Sequence, residues 1–270
     1  MRKIFLVLIL SNIFILRPAF AGLEEEFSKL NWNNGPSSAN ISEYANLQYD
    51  AGYFSLDVFD TNKFLELIGN LPSTDERYSI GKEDMSWFAV LEFHTSGYIK
   101  DDEEIDADNL LKGLKEGNKK GNEERKKQGL RTMQLVGWSV PPFYNKSTNR
   151  LEWGTKLKND DGSYTINYTS RLLGRSGYVS STLVADPQSF PSQLAEYNQV
   201  LTRFSFNSGE KYSEFQEGDK IAKYGLAALV AGGAAAAVIK SKGLWKIIGV
   251  AILGGFAVVW GAIKSFFRRA

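Results

Sequence analysis

The 270-residue sequence has no cysteine and a single histidine, and its net charge is only +1. Without cysteine there is no disulfide, no thiol nucleophile, no thiolate metal site and no N-terminal lipid-carrying cysteine. Stability must therefore come from packing alone. A lone His94 excludes a multi-histidine metal centre. A net charge near zero gives no general pull toward nucleic acid or an acidic substrate. The polar residues show neither a nucleophile–base pair nor a metal or cofactor motif, so no catalytic, metal-binding or cofactor-binding residues are assigned.

What is present in quantity is apolar sequence at both ends. Arg2 and Lys3, then Ile4 to Leu16, then Ala19-Phe20-Ala21 follow the charged, apolar and small-x-small order of a secretory signal cleaved after Ala21. The apolar part, about 13 residues, is too short to cross ~30 Å of hydrocarbon as a helix. Residues 1–21 are thus expected to deliver an exported domain, 22–219. Residues 220–270 read as a membrane anchor with two apolar runs, 225–239 and 247–263, split by Lys240-Ser241-Lys242-Gly243. As helices the runs would measure about 22 and 25 Å, short enough to need snorkelling lysines or a thinned bilayer. Lysine at mid-bilayer costs about 2.5–3.5 kcal/mol, so Lys240, Lys242 and Lys246 cannot sit there. Two arrangements remain: a helical hairpin with its linker facing the cytoplasm, which the apolar character of 225–239 favours, or one transmembrane helix, 247–263. Gly232, Gly233, Gly254 and Gly255 would let helix backbones approach closely, within a hairpin or between copies of a homo-oligomer.

The exported part reads as α+β, an antiparallel sheet or sheets with packed helices. Leu23, Phe27 and Leu30 mark an amphipathic helix. A strand pair is expected across Asp50-Ala51-Gly52, then a short helix capped by Asp60. The pattern Gly52-Tyr53…Asp60…Phe64-Leu65 is echoed by Gly97-Tyr98…Asp106…Leu110-Leu111, a βα duplication within 44–118. The helix from Asp108 passes Gly113, Gly117 and Gly121, each costing about 1 kcal/mol against alanine, and is expected to break near Gly117. Residues 130–206 are sheet-rich. One strand should end at Pro141-Pro142, with its partner beginning at Leu151. Thr165, Asn167, Thr169 and Arg171 alternate with Tyr164, Ile166 and Tyr168, which predicts a strand with one wet face. Pro191 opens a further helix.

Several segments carry a resemblance. They are Gly-Trp-x-x-Pro-Pro-x-Tyr (137–144), Leu-x-Trp (151–153), Asn-Tyr-x-x-Arg-x-Leu-Gly-Arg-x-Gly (167–177) and Gly-x-x-Tyr-x-x-Phe-x-x-Gly-Asp-Lys-x-Ala-x-Tyr-Gly (209–225). Their order and the lysine-punctuated tail resemble the bacterial domain-of-unknown-function family 2167, uncharacterised membrane-anchored proteins. The resemblance implies an exported, anchored domain and supplies no activity or catalytic residue. Asn145 departs from the family pattern, which has an Asp after Tyr144, so a carboxylate in that turn is dispensable.

Arg171 and Arg175 flank a turn that also brings Tyr168 and Tyr178 near. With Trp138 and Tyr144 they are the candidate ligand or partner contacts, because arginine among aromatics suits a carboxylate, phosphate or glycan. The same residues also make sense as cross-strand packing. The acids of 101–108 lack the ligand spacing of a calcium loop and fit a helix N-terminus. The basic run Lys112 to Arg131 reads as a solvated helix face, or as a contact with anionic headgroups if that face lies toward the bilayer.

Together these features describe a non-enzymatic, membrane-anchored module at the bacterial cell envelope, its main domain extracytoplasmic or periplasmic. Its expected partners are the lipid bilayer, an envelope protein or component, and a second copy of itself, with no nucleic acid. Alternatives are an envelope hydrolase using His94 or an acid of 101–108, and an oligomeric tail that perturbs or gates the membrane.

Overall fold

The computed structural model describes residues 17–232. Residues 1–16 of the expected signal, residues 233–239 of the first apolar run, all of 247–263, and Gly233, Gly254 and Gly255 lie outside the described residues. Among the described residues, no helix is long and apolar enough to cross a membrane.

In chain order the elements are α1 (Arg17–Ser28), β1 (Asn33–Asn34), β2 (Ser37–Ile41), β3 (Ala45–Tyr49), β4 (Tyr53–Leu56), α2 (Val58–Leu67), β5 (Arg77–Lys82), β6 (Phe88–Thr95), α3 (Ala107–Lys127), β7 (Met133–Asn145), β8 (Arg150–Asn159), β9 (Tyr164–Leu173), β10 (Gly177–Ala185), α4 (Phe190–Leu201), β11 (Phe204–Phe206) and α5 (Leu226–Val230). They build the expected α+β class. One sheet has eight strands in the order β1-β4-β5-β6-β10-β9-β8-β7, and a smaller one has three, β11-β3-β2. The β6–β10 pairing carries the large sheet through both the 44–118 and 130–206 regions.

Four local expectations are corrected. No hairpin forms across Asp50-Ala51-Gly52: β3 pairs with β2 and β11, whereas β4 pairs with β1 and β5. Leu47 and Tyr49 face one apolar cluster, Phe54 and Leu56 another, so burial draws the two strands apart. Asp57 rather than Asp60 caps α2, its Oδ1 accepting the Asp60 N–H at 2.9 Å. β7 does not end at Pro141-Pro142. It is an edge strand whose register slips between Val140 and Phe143, so two residues without an N–H fall where the ladder is already interrupted.

The fourth correction is that α3 continues unbroken past Gly117. Asn118 donates to Met133 O at 3.0 Å and accepts from Leu135 N at 3.0 Å, while Asn122 donates to Met133 O at 2.7 Å and accepts from Met133 N at 3.1 Å. These amides satisfy the outer edge of β7, an edge otherwise open to another strand. The bonds hold the glycine-bearing helix against the sheet and outweigh its weak propensity. Arg125, grouped by sequence with a solvated face, is buried and donates to Gly69 O and Arg131 O.

Strand alternation sorts the core into three clusters. Leu91, Tyr168, Val179 and Leu183 pack with Tyr197 of α4 and with the small sheet. Two more clusters include the alternate side chains: Phe88 and Val90 with Phe27 of α1 and Phe64 of α2, and Leu135, Trp153 and Leu157 with Leu114 of α3 and Leu229 of α5. The segment 220–232, assigned by sequence to the anchor, packs on this second face. Tyr98 pairs with Ile221, Glu103 accepts the Ala227 N–H at 3.0 Å, and Leu226 and Leu229 are 1% and 0% exposed.

Candidate functional site

The polar set on β9 that alternation marks as wet is buried. Thr165, Asn167 and Thr169 are 4%, 5% and 7% exposed. Asn167, Thr169 and Arg171 instead line a cavity of about 470 Å³ whose walls include Leu114 of α3 and Tyr224, Val230 and Gly232 of the following tail segment. Short polar side chains on this part of the sheet leave the volume that leucines fill farther along.

Antiparallel register carries a row of charge across this floor. Arg77 on β5 lies opposite Glu92 on β6, Glu92 opposite Ser180 on β10, and Ser180 opposite Arg171 on β9. Two residues along β6, His94 lies opposite Tyr178, and their rings stack at 4.8 Å between centroids. His94 Nε2 is 3.5 Å from Glu92 Oε1. The Arg171 guanidinium sits 5.5 Å from the Trp153 ring and 5.2 Å from the Tyr178 ring, close enough for cation–π attraction. Its Nε has no hydrogen-bond partner among the described residues.

Burial sets the ionisation of the other groups. It pushes the Glu92 carboxyl up to about 7, with help from Asp75 and against the pull of Arg171 and Arg77. Burial and then Arg171 push His94 down to about 4. Burial lifts the Tyr178 phenol to about 12. Solvent still reaches both of the closest groups, with the His94 and Glu92 side chains 34% and 26% exposed. At neutral pH the cavity therefore holds a guanidinium, a neutral imidazole and a carboxyl near half ionisation. Such a set can bind an anion, and it can also move a proton between Glu92 and a bound group.

Of the residues nominated by sequence, Arg171, His94 and Tyr178 meet here. Tyr168, three residues before Arg171, points to the opposite face and is buried against Phe190 and Tyr197. Arg175 is engaged bidentately by Asp219, at 2.7 and 2.8 Å. Trp138 donates its indole N–H to Ala107 O at 3.1 Å, and the Tyr144 hydroxyl donates to Asn149 Oδ1 at 3.4 Å. In the acidic run, Asp106 caps α3, and Glu103 holds the first turn of α5 through the bond to Ala227. Gly232 adopts a positive φ of 112° at the cavity wall. Glu92 was missed by sequence reasoning. Its spacing of two from His94 within one strand was the available signal, since alternate residues share a face. Among the described residues no group of three or more metal-ligating side chains occurs.

The fold and the cavity define an α+β domain with a charged, ligand-sized space on its main sheet. The chain belongs to the family described as Protein of unknown function (DUF2167), whose model matches residues 33–264 and so runs through the apolar tail. No curated protein matches the chain. Among solved structures, the solution structure of cyanobacterial PsbP (CyanoP) from Synechocystis sp. PCC 6803 is similar at 10% identity and a TM-score of 0.37, covering 64% of this chain and 95% of that one. So loose a likeness carries no argument about the site.

Proposed function

We propose that this protein is a non-enzymatic binding module of the bacterial envelope, exported, held at the membrane by its apolar tail, and built to take a small anion in the cavity at Arg171. The observation that carries the reading is the guanidinium itself. It lies 5.2 and 5.5 Å from two aromatic rings, forms no ion pair within 4.0 Å among the described residues, and its Nε is unpartnered. A partly buried cation without a fixed counter-ion favours an incoming anion. Calorimetric titration of the full chain at pH 6 with acetate and with phosphate tests this. Saturable binding of either anion that Arg171→Met abolishes supports the reading. Absence of binding to both in a folded protein removes it.

The docked position of α5 bears on the tail. While Leu226–Val230 stay in the core, the first apolar run is left with residues 231–239, roughly 13 Å of helix and under half the ~30 Å hydrocarbon. Of the two arrangements, this favours a single span by 247–263.

A second reading has its own observation: the Glu92–His94 contact at 3.5 Å inside the cavity suits acid–base work in an envelope hydrolase. Full in vivo function in a Glu92→Gln, His94→Gln double variant would eliminate it.

A further inference from the structure

We infer that the ligand of this cavity is an acidic saccharide, its acid group at Arg171 and its ring beside Thr169 and Trp153. This rests on the anion-binding reading above and narrows it to a class.

The reason is what the floor offers at each step away from the guanidinium. Strand register sets the lining in rows across β10, β9 and β8. Arg171 shares its row with Ser180. Two residues along, Thr182, Thr169 and Trp153 lie opposite one another. Two residues further, Asn167 lies opposite Thr155. At about 3.4 Å per residue, these polar rows run roughly 13 Å along the sheet from Arg171. Leucine enters the floor only at Leu157 and Leu135, opposite each other and six residues along from the Arg171 row. The cavity's two acids, Glu92 on β6 and Asp75 just before β5, lie beyond β10 from Arg171. An anionic group is thus drawn to the Arg171 side.

Ligand classes meet these rows differently. An inorganic anion engages Arg171 and leaves the hydroxyls to water. An alkyl chain would strip water from Thr169 and Thr155 and return no hydrogen bond. A sugar hydroxyl both donates and accepts, as threonine does, so it replaces a water without losing that water's bonds. Thr169 Oγ1 and Thr182 Oγ1 are 3.2 Å apart, and whichever accepts has its own proton to give a ligand. The C–H face of a sugar ring suits the Trp153 ring in the same row, and the apolar Leu114 and Val230 that also line the cavity. The volume of about 470 Å³ lies within the ~300–1,000 Å³ usual for small-molecule sites.

The test is calorimetric titration of the full-length chain in zwitterionic nanodiscs at pH 6. The probes are three sugar acids (glucuronate, galacturonate and glucose 6-phosphate) with glucose, acetate and N-acetylalanine. The tightest sugar acid should bind at least about tenfold more tightly than acetate, and its identity shows whether the acid is a carboxylate or a phosphate. Glucose, which lacks the charge, should be weaker by at least about tenfold, as should the sugar acid on Arg171→Met. A double variant, Thr169→Val with Thr182→Val, removes both partners of one hydrogen bond and keeps the side-chain shapes, so it should fold. It should weaken the sugar acid at least about fivefold and leave acetate unchanged, a check that does not depend on Arg171→Met folding. If acetate binds as tightly as every sugar acid, or the double variant leaves the sugar acid unweakened, the saccharide assignment fails and the anion site stands. Tighter binding of N-acetylalanine than of any sugar acid would assign the site to a peptide C-terminus and also overturn the saccharide. If no acid binds to the folded protein, both readings fail.

Discussion

Replacing Glu92 with glutamine separates two titrations that oppose each other within one cavity. The folded protein holds Glu92 at about 7, above the ordinary 4.5, so the native state keeps a proton that the unfolded chain releases. The stability this represents is fully present below about pH 4.5 and is lost as pH rises through 7. His94 works the other way. Depressed to about 4 from 6.5, it contributes stability that is present above about pH 6.5 and lost as pH falls through 4. Between these limits the two slopes have opposite sign and largely cancel. A shift from 4.5 to about 7 corresponds to about 3 kcal/mol, and solvent reaching a quarter of the Glu92 side chain lowers the expectation to about 2 kcal/mol. Glu92→Gln should therefore stabilise the protein by about 2 kcal/mol at pH 8, roughly 4–8 °C in Tm for a domain of this size, and by almost nothing at pH 4.5. His94→Gln should leave the Glu92 slope exposed, with stability falling from pH 4.5 to 7. Thermal unfolding followed by near-UV circular dichroism, variant against wild type at each pH, cancels the contributions of all other groups. Equal stabilisation by Glu92→Gln at pH 4.5 and 8, or destabilisation at pH 8, would refute the burial argument.

Other consequences are as direct. Asn118→Ala strips two bonds from the edge of β7 and should cost about 2 kcal/mol in denaturant unfolding, and a loss below about 0.5 would mean the edge is held elsewhere. Arg125→Met should cost about 2–3 kcal/mol because Gly69 O and Arg131 O lose their donor, whereas Lys126→Met on the exposed side should stay within about 0.5. The chain has no cysteine, so Ser241→Cys places one thiol in the lysine linker. With α5 docked, a membrane-impermeant maleimide should label it from the same side as Ser147→Cys on the exposed β7–β8 turn. Labelling from the opposite side would require α5 to leave the core.

How much of this could be read in advance depended on range. The strand alternation at 164–171 and the helix opened by Pro191 are local and were legible. The separation of β3 from β4 was not, because a turn at Gly52 looks alike whether the next strand pairs back or crosses to another sheet. The continuity of α3 depends on Asn118 and Asn122 meeting a strand that begins at Met133, a tertiary bond that overrides propensity. A period of two already set Arg171 and Tyr168 on opposite faces, and only one of them reaches the cavity. The polar face of β9 was visible in sequence, but alternation cannot distinguish a face in open water from one that α3 and the segment 224–232 cover.

His94 is the only histidine in the chain, so its imidazole gives a single reporter inside the cavity. Nitrogen-15 resonances of histidine-labelled full-length protein, followed during an acetate and then a phosphate titration at pH 6, test the anion site most directly. The account predicts a neutral imidazole, a saturable shift with each anion, and loss of both shifts in Arg171→Met. A spectrum unmoved by either anion in a folded protein would contradict it.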